Sequence, residues 1–216
     1  MTNTVAIIQA RMGSSRLPGK VMKPLASVPL IDRVIRNALA VPEINQVAVA
    51  TSEKPDDNVL AAHVRKSNAD LYRGSESDVL GRFAGAARQT DADIVVRITA
   101  DDPVKDPEVT RIVLNTYLNA GGQYDYVSNT NPPTWPEGQD VEVFSAAALF
   151  RAAAEATDSY DREHVTPYFH HDTSMFNCYN VAQQPDQSGT RLTLDTPDDL
   201  KFFETLLHFT DRFPPS

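Results

Sequence analysis

Short apolar runs alternate with stretches of helical apolar spacing through the first half of the chain. The runs at residues 4–9, 46–51 and 93–99 have the length and composition of buried strands. The stretches that separate and follow them place apolar residues three or four apart, which predicts helices over 29–40, 56–66, 77–89 and 106–118. Strands that alternate with such helices predict βαβ units, a mostly parallel sheet and therefore an α/β fold.

The pattern is more mixed after residue 120. Two predicted strands, 124–128 and 141–144, flank a proline-rich loop, and two predicted helices, 146–156 and 160–170, come next. Further strands are predicted at 176–181 and 191–195, before a last helix that begins at Thr196-Pro197. No segment has the composition of a linker between domains, so residues 1–216 are predicted to form one domain.

Charge is distributed unevenly along the chain. The formal net charge is −9, and a protein this acidic repels polyanions, so we expect it to bind neither nucleic acid nor membrane surfaces. The first 23 residues nevertheless contain four cations and no acidic residue: Arg11, Arg16, Lys20 and Lys23. This local excess of positive charge predicts an anion-binding pocket formed by the start of the chain.

The remaining composition points to a reducing compartment. Cys178 is the single cysteine, so the chain can form no internal disulfide and carries no CxxC motif. The apolar run 5–10 is too short for a membrane span or the core of a signal peptide, and no basic segment precedes it. We therefore expect a soluble, cytoplasmic protein.

The cations belong to a glycine- and serine-rich loop, residues 10–20, that follows a buried strand. Glycines let backbone N–H groups approach phosphate oxygens, hydroxyls add donors, and arginine and lysine neutralise charge. A Walker P-loop is excluded because five residues separate Gly13 from Gly19 and because Val21, not Ser or Thr, follows Lys20. Since ligands of open α/β sheets bind beyond the carboxyl ends of the strands, we expect segments 10–20, 52–56 and 101–103 to meet there.

Two acidic residues are candidates for holding a cation at that edge. Asp101 follows the predicted strand 93–99, and Asp195 lies at the end of the predicted strand 191–195. Acids beside a polyanion make sense with a cation between them, and Mg²⁺ is typically held by one or two carboxylates together with phosphate oxygens. From the residues alone, Asp101 could equally cap the turn before Pro103, and Asp195 could belong to the start of the last helix.

The loop IIQARMGSSRLPGK resembles the opening motif of the sugar-nucleotide cytidylyltransferases, which include the acylneuraminate and 3-deoxy-manno-octulosonate enzymes. The chain is most similar to the spore-coat polysaccharide biosynthesis (SpsF-type) branch of that family. Further similar segments follow in the family's order, at 72–75, 78–80, 97–103, 125–129, 162–168 and 195–200. The resemblance therefore covers essentially the whole chain, and its opening motif is the most specific part.

The resemblance implies a fold and an activity. The fold would be the three-layer, Rossmann-like fold of nucleotide-diphospho-sugar transferases, with a mostly parallel central sheet. The activity would be transfer of CMP from CTP to an acidic cell-surface sugar, with release of pyrophosphate and with Mg²⁺ as cofactor. Residues 1–120 would bind the nucleotide, and 121–190 would bind the acceptor sugar and could mediate a homodimer. Residues 191–216 would supply a returning strand and the C-terminal helix.

The resemblance also assigns site residues. The residues expected to bind the nucleotide are Ala10, Arg11, Gly13, Ser14, Arg16, Lys20, Arg73 and Ser75. Those expected to act in catalysis are Arg16, Lys20 and Asp101, with Asp101 and Asp195 as the metal ligands. Those expected to face the sugar are Tyr126, Asn129, Gln139, Glu142, Glu163 and His164. Tyr126 could instead pack in the core, and Glu142 could be an outward strand residue.

One position departs from the family pattern. The SpsF-type branch carries a cysteine where this chain has Asp102. An additional carboxylate at that position could change metal affinity or simply be solvated.

Two other classes of protein share parts of this pattern. A metal-dependent glycosyltransferase of similar fold would hold a nucleotide-sugar with a DxD pair, but Asp101-Asp102-Pro103 is not DxD and the basic loop suits a triphosphate better. A catalytically silent nucleotide-binding module is the third hypothesis. Release of pyrophosphate from CTP would distinguish a cytidylyltransferase from a glycosyltransferase, and nucleotide binding without turnover would identify the silent module.

Overall fold

The computed structural model describes residues 2–171 and 175–212, which fold around a central sheet of seven strands. A separate two-stranded hairpin follows the basic loop. The strands of both sheets, numbered in chain order, are β1 (Thr4–Gln9), β2 (Pro24–Leu25), β3 (Val28–Pro29), β4 (Gln46–Ser52), β5 (Asp70–Gly74), β6 (Ile94–Thr99), β7 (Tyr126–Ser128), β8 (Glu142–Ser145) and β9 (Cys178–Asn180).

The central sheet has the strand order β5-β4-β1-β6-β8-β7-β9. Strands β5, β4, β1 and β6 are parallel neighbours, whereas β8 runs antiparallel to both β6 and β7. The carboxyl ends of the four parallel strands therefore meet at one edge, with β1 between β4 and β6. This arrangement confirms the predicted α/β fold with a mostly parallel sheet.

Helices cover both faces of the sheet. Their bounds are α1 (Leu30–Leu39), α2 (Asn58–Val64), α3 (Val79–Gln89), α4 (Pro107–Asn119), α5 (Ala146–Glu155), α6 (Ser159–His164), α7 (Tyr168–His171) and α8 (Pro197–Arg212). Along β1, Ala6 and Ile8 pack with residues of α1, α2, α4 and α8, while Val5 and Ile7 pack with residues of α3, α5 and α7. Alternate side chains thus enter two cores, because successive residues of a strand point to opposite faces. The result is the expected three-layer structure.

Two predicted elements differ from the structure. The predicted helix 160–170 is two helices, α6 and α7, because Val165 has a positive φ of 73° and Pro167 has no backbone N–H. The predicted strand at 191–195 is not a strand: Arg191 forms one isolated bridge with Glu137. Strand β5 was not predicted. The end of the predicted 191–216 portion, residues 213–216, lies outside the described residues.

No described helix combines the length and the apolar character that a membrane span requires.

Candidate active site

The basic loop is fixed in place by its own backbone and by two buried apolar side chains. The N–H groups of Ser14 and Gly19 both donate to the Met12 carbonyl, at 2.9 Å each. Gly19 has a φ of 70°, a left-handed conformation that costs glycine little, and a short 3-10 turn begins directly after it. Leu17 and Val21 are buried in the core on either side of Lys20. The backbone of Lys20 is therefore held firmly at the carboxyl edge of the sheet.

Lys20 connects the two predicted metal ligands. Its Nζ atom donates to Asp101 Oδ2 and to Asp195 Oδ1, at 2.9 Å each, and to the carbonyl of Leu194 at 3.1 Å. Arg16 Nη2 lies 3.0 Å from the same Asp195 oxygen. Residues that are far apart in sequence thus come together as one cluster around the carboxylates of Asp101 and Asp195.

The electrostatics of the cluster favour the charged forms of its members. Burial acts to lower the pKa of Lys20, but the carboxylates of Asp101 and Asp195 outweigh it and raise that pKa above its usual value. Burial acts to raise the pKa of Asp101, but the Lys20 ammonium and its hydrogen bond lower it. Lys20 is accordingly an ammonium and Asp101 a carboxylate near neutral pH.

A cavity of about 340 Å³ opens beside this cluster, a size in the usual range for small-molecule sites. Eight residues that the sequence assigned to the nucleotide or the metal contribute to its wall: Ala10, Arg11, Gly13, Ser14, Arg16, Lys20, Asp101 and Asp195. Gln9 and Thr99 also line the cavity and were not predicted. They are paired at the last positions of β1 and β6, so polar strand-end residues were the signal that could have identified them.

Segment 52–57 supports the loop from behind. Asp57 Oδ1 accepts the Met12 N–H at 2.7 Å, and its other oxygen accepts from the Ser52 backbone N–H and hydroxyl. Asp57 is buried, so these bonds hold the end of β4 against the basic loop. The expected meeting of segments 10–20, 52–56 and 101–103 is therefore present, although the middle segment acts beneath the cavity and does not line it.

Arg73 and Ser75 lie at the end of β5, outside the residues that line the cavity. The Arg73 guanidinium donates to the carbonyls of Ser52 and Lys54 and to Asn58 Oδ1, at 2.9, 3.0 and 2.7 Å. Ser75 is exposed, and its hydroxyl accepts the Asp78 N–H at 3.2 Å. Contacts of these two residues with a nucleotide stay predictions.

Two predicted sugar-binding residues form a buried hydrogen-bonded pair near the same edge. The Tyr126 hydroxyl donates to Glu142 Oε1 at 2.6 Å, and Arg97, cross-strand from Glu142, forms an ion pair with its other carboxylate oxygen. Burial acts to raise the pKa of Glu142, but Arg97 lowers it below its usual value. Arg97 Nη2 also lies 3.4 Å from Gln9 Oε1, so the pair reaches the wall of the cavity. Arg97 belongs to one of the segments similar to the family but was not predicted as a site residue.

Asn129 and Gln139 hold the connection between β7 and β8. Asn129 donates to the Gln139 carbonyl at 2.9 Å and accepts the Val141 N–H at 2.8 Å. The Gln139 side chain accepts the Asp106 N–H at 2.8 Å and donates to the Val104 carbonyl at 3.0 Å. Both side chains are buried, and their amide groups bond to backbone.

Glu163 and His164 lie on the exposed side of α6, and the His164 ring packs against Tyr160. The structure therefore does not gather the six predicted sugar-binding residues at one surface. Contacts of all six with a sugar stay predictions.

Asp102 is buried, which excludes the alternative that its carboxylate is simply solvated. Its side chain is only 2% exposed, lies 3.1 Å from Lys105 Nζ and accepts the Thr99 hydroxyl at 2.9 Å. Burial raises the pKa of Asp102 to about 7, although Lys105 opposes the shift. Lys105 also donates to the carbonyls of Gly138 and Asp140, so this pair joins the turn after β6 to the segment before β8.

The donor set fits a divalent cation that arrives with phosphate groups. Asp101 and Asp195 already direct one carboxylate oxygen each toward a single positively charged atom. Within 2–171 and 175–212, no group of three or more His, Cys, Asp or Glu side chains could hold a metal by itself. Two carboxylates completed by phosphate oxygens and water are the usual surroundings of Mg²⁺ in nucleotide sites.

The fold and the site together define a class of protein. A basic loop after the first strand of a parallel sheet faces a pair of carboxylates across a cavity, which is an arrangement for binding phosphate groups and a cation. A profile of the family described as "Cytidylyltransferase" matches residues 5–210. The chain belongs to the cytidylyltransferase family, whose members transfer CMP from CTP to a sugar, and the predicted family is confirmed.

Similar curated proteins agree with this assignment. The chain is 33% identical over 214 residues to the spore coat polysaccharide biosynthesis protein SpsF of Bacillus subtilis, covering 95% of this chain and 87% of that protein. It is also 33% identical over 120 residues to 3-deoxy-manno-octulosonate cytidylyltransferase of Trichlorobacter lovleyi, covering 55% of this chain and 46% of that enzyme.

Solved structures show the same fold. A cytidylyltransferase from Leptospira borgpetersenii has a TM-score of 0.91 at 28% identity, over 97% of this chain and 88% of that one. A CMP:2-keto-3-deoxy-manno-octonic acid synthetase, solved with CTP, has a TM-score of 0.71 at 18% identity, over 95% of this chain and 98% of that one.

Proposed function

We propose that this chain transfers CMP from CTP to an acidic sugar of cell-surface polysaccharides and releases pyrophosphate in a Mg²⁺-dependent reaction. The observation that carries the proposal is the cluster of Arg16 and Lys20 with Asp101 and Asp195 at the wall of the cavity. The named relatives support the substrate class, since one acts in spore-coat polysaccharide biosynthesis and another on 3-deoxy-manno-octulosonate, an acidic sugar.

The basic loop would bind the triphosphate. Arg11 and Arg16 have side chains that are 44% and 65% exposed, so both can turn toward an anion. The backbone of Ala10 and Gly13 and the hydroxyl of Ser14 add polar groups at the same wall. Arg73 and Ser75 are the proposed contacts of the nucleoside, and for Arg73 such a contact would replace one of its present bonds to segment 52–58.

The reaction would be an in-line displacement at the α-phosphorus. The sugar hydroxyl oxygen forms a new bond to the α-phosphorus, the bond from the α-phosphorus to the oxygen that it shares with the β-phosphate breaks, pyrophosphate leaves with that oxygen, and the hydroxyl proton passes to water. Arg16 and Lys20 would neutralise the charge that grows on pyrophosphate, and Asp101 and Asp195 would hold Mg²⁺. When bound, Mg²⁺ supplies orientation of the α-phosphate and lowers the pKa of the attacking hydroxyl.

A pyrophosphate-release assay tests the proposal. The protein is mixed with CTP, Mg²⁺ and each member of a panel of acidic sugars, and hydrolysis of UDP-sugars is measured in parallel. We expect pyrophosphate only with CTP, a sugar and the divalent cation together, and loss of the signal with EDTA. UDP-sugar hydrolysis without pyrophosphate release would favour the glycosyltransferase, and CTP binding without any turnover would favour the silent module.

Substitution of a metal ligand sharpens the test. Asp101→Asn is expected to reduce transfer about a hundredfold or more, since it removes charge that acts on the transition state. Asp198→Asn is the matched control, because Asp198 lies near Asp195 but its side chain is 91% exposed and pairs only with Lys201 among the described residues. Equal activity of both variants would contradict the role assigned to Asp101.

A further inference from the structure

Lys20 occupies the place between the two carboxylates. An ammonium group has three N–H donors, and those of Lys20 have three acceptors: one oxygen each of Asp101 and Asp195, and the Leu194 carbonyl. The side chain is only 13% exposed. Lys20 thus differs from Arg11 and Arg16 of the same loop, whose side chains are 44% and 65% exposed.

The carboxylate oxygens that Lys20 uses are those that a divalent cation would need. At separations of a few ångströms in a partly buried site, an ammonium and a divalent cation repel each other strongly, because water screens their charges only weakly there. The two therefore compete for Asp101 and Asp195. Binding of a metal to this pair requires that Lys20 first find other acceptors.

A triphosphate supplies such acceptors. Its oxygens form charge-assisted hydrogen bonds with an ammonium as strongly as carboxylates do, so Lys20 can exchange one set of anionic partners for another at little cost. The backbone need not move, because Gly19 and the buried Leu17 and Val21 fix the attachment of the side chain. Rotations about the side-chain bonds of Lys20 are then sufficient for this exchange of partners.

We propose that Lys20, before it contacts the triphosphate, acts as an internal cation that holds Asp101 and Asp195 together, until a nucleoside triphosphate draws its ammonium away and admits the divalent cation. The inference rests on the proposed function, since it takes these two aspartates as the metal ligands. It predicts that metal and nucleotide bind together and that the protein has little affinity for the metal alone.

The test is Mn²⁺ binding to the folded protein without nucleotide, measured by calorimetry and by electron paramagnetic resonance. Lys20→Met removes the ammonium and keeps the length of the side chain. We expect it to bind Mn²⁺ about tenfold or more tighter than the wild type, because the carboxylates lose their internal cation. Addition of CTP should increase Mn²⁺ affinity strongly in the wild type and much less in the variant.

Three further variants serve as controls. Arg16→Met also removes a cation beside Asp195, but Lys20 remains, so its Mn²⁺ affinity should change by less than about threefold. Lys20→Arg keeps the charge and should retain the weak binding of the wild type. In the Lys20→Met/Asp101→Asn double variant the gain should disappear, which places the new Mn²⁺ site at these carboxylates.

The outcomes separate the two proposals. A Lys20→Met protein that is folded by circular dichroism but binds Mn²⁺ no tighter than the wild type overturns the internal-cation role, even if the wild type releases pyrophosphate. If Lys20→Met unfolds at the assay temperature, a rise of its melting temperature with Mn²⁺ that exceeds the rise in the wild type gives the same answer as tighter binding. Failure of the proposed function alone would instead appear as a wild type that releases no pyrophosphate while Lys20→Met still gains Mn²⁺ affinity.

Discussion

The basic loop and the region around β7 and β8 both carry many polar side chains, but they use them differently. In the loop, the side chains of Arg11 and Arg16 are 44% and 65% exposed, and Arg16 has a single ion-pair partner among the described residues. Around β7 and β8, Tyr126, Asn129, Gln139 and Glu142 are each no more than 6% exposed and bond to one another or to backbone.

The two regions differ in what a ligand would have to displace. A polar group that is buried must be satisfied inside the protein, since leaving it without a partner costs roughly 1–3 kcal/mol. A ligand of the polar residues around β7 and β8 would therefore have to replace hydrogen bonds within the protein, whereas the loop arginines can exchange water for phosphate oxygens. Substitutions in the two regions should accordingly affect different properties.

The largest expected effect is on stability at Glu142. Glu142→Ala leaves the Arg97 guanidinium buried without its carboxylate partner and removes the acceptor of the Tyr126 hydroxyl. We expect the free energy of unfolding to fall by about 3–5 kcal/mol, measured by urea denaturation. Glu163→Ala, at an exposed position on α6, is the control and should change it by less than about 0.5 kcal/mol. A Glu142→Ala protein as stable as this control would show that the buried pair does not hold β6 to β8.

The next effect is on activity at Arg16. Arg16→Ala removes a mostly exposed cation from the cavity wall and should reduce transfer about a hundredfold, while the free energy of unfolding stays within about 0.5 kcal/mol of the wild type. The measurements are steady-state pyrophosphate release and urea denaturation. Lys23→Ala is the control from the same basic segment, since Lys23 does not line the cavity, and it should retain activity. Similar losses in both variants would mean that only the general charge of the segment matters.

A smaller effect is expected at Asn129. Asn129→Ala removes the acceptor of the Val141 N–H and the donor to the Gln139 carbonyl, both buried. The free energy of unfolding should fall by about 2 kcal/mol, because two buried backbone groups lose their partners. Asn119→Ala, at the exposed end of α4, should leave it nearly unchanged. If Asn129→Ala were fully stable but bound a sugar acceptor more weakly, the role of Asn129 would be to contact a ligand, as proposed for the loop arginines, and not to stabilise the fold.

The smallest effect depends on pH and concerns the start of α8. Burial acts to raise the pKa of Asp199, but Arg191 and the N–H groups of Asp195 and Thr196 lower it well below its usual 3.8. Because the pKa is lower in the folded protein, the stabilisation is complete above pH 3.8 and is lost as the pH falls below that value.

Asp199→Asn should therefore lower the free energy of unfolding by about 1 kcal/mol at pH 7, and by less in acid. Guanidinium denaturation of both proteins at several pH values measures this difference. The exposed neighbour variant Asp198→Asn should show no comparable change. A difference between Asp199→Asn and wild type that grew in acid would contradict a lowered pKa of Asp199 in the folded protein.

Local sequence patterns predicted the central strands well. Strand β1 has the predicted bounds, and β4 and β6 differ from prediction by one residue each, because these strands are buried on both faces and form continuous apolar runs. Strand β5 (DLYRG) has no such run, since it lies at the edge of the sheet and is defined by its pairing with β4. Residues 191–195 show the opposite case: Leu192 and Leu194 pack against the core, but only Arg191 makes a bridge.

Composition and short-range periodicity were enough to predict the basic loop and the order of the main elements, and the resemblance to the family named most of the residues that line the cavity. The pairing of polar side chains within the protein came from the tertiary structure alone. It placed Lys20 between Asp101 and Asp195, buried Asp102 beside Lys105, and closed Arg97, Glu142 and Tyr126 into one group. Most of these pairings join segments that are far apart in the chain, and the geometry of the sheet, which no local pattern contains, brings them together.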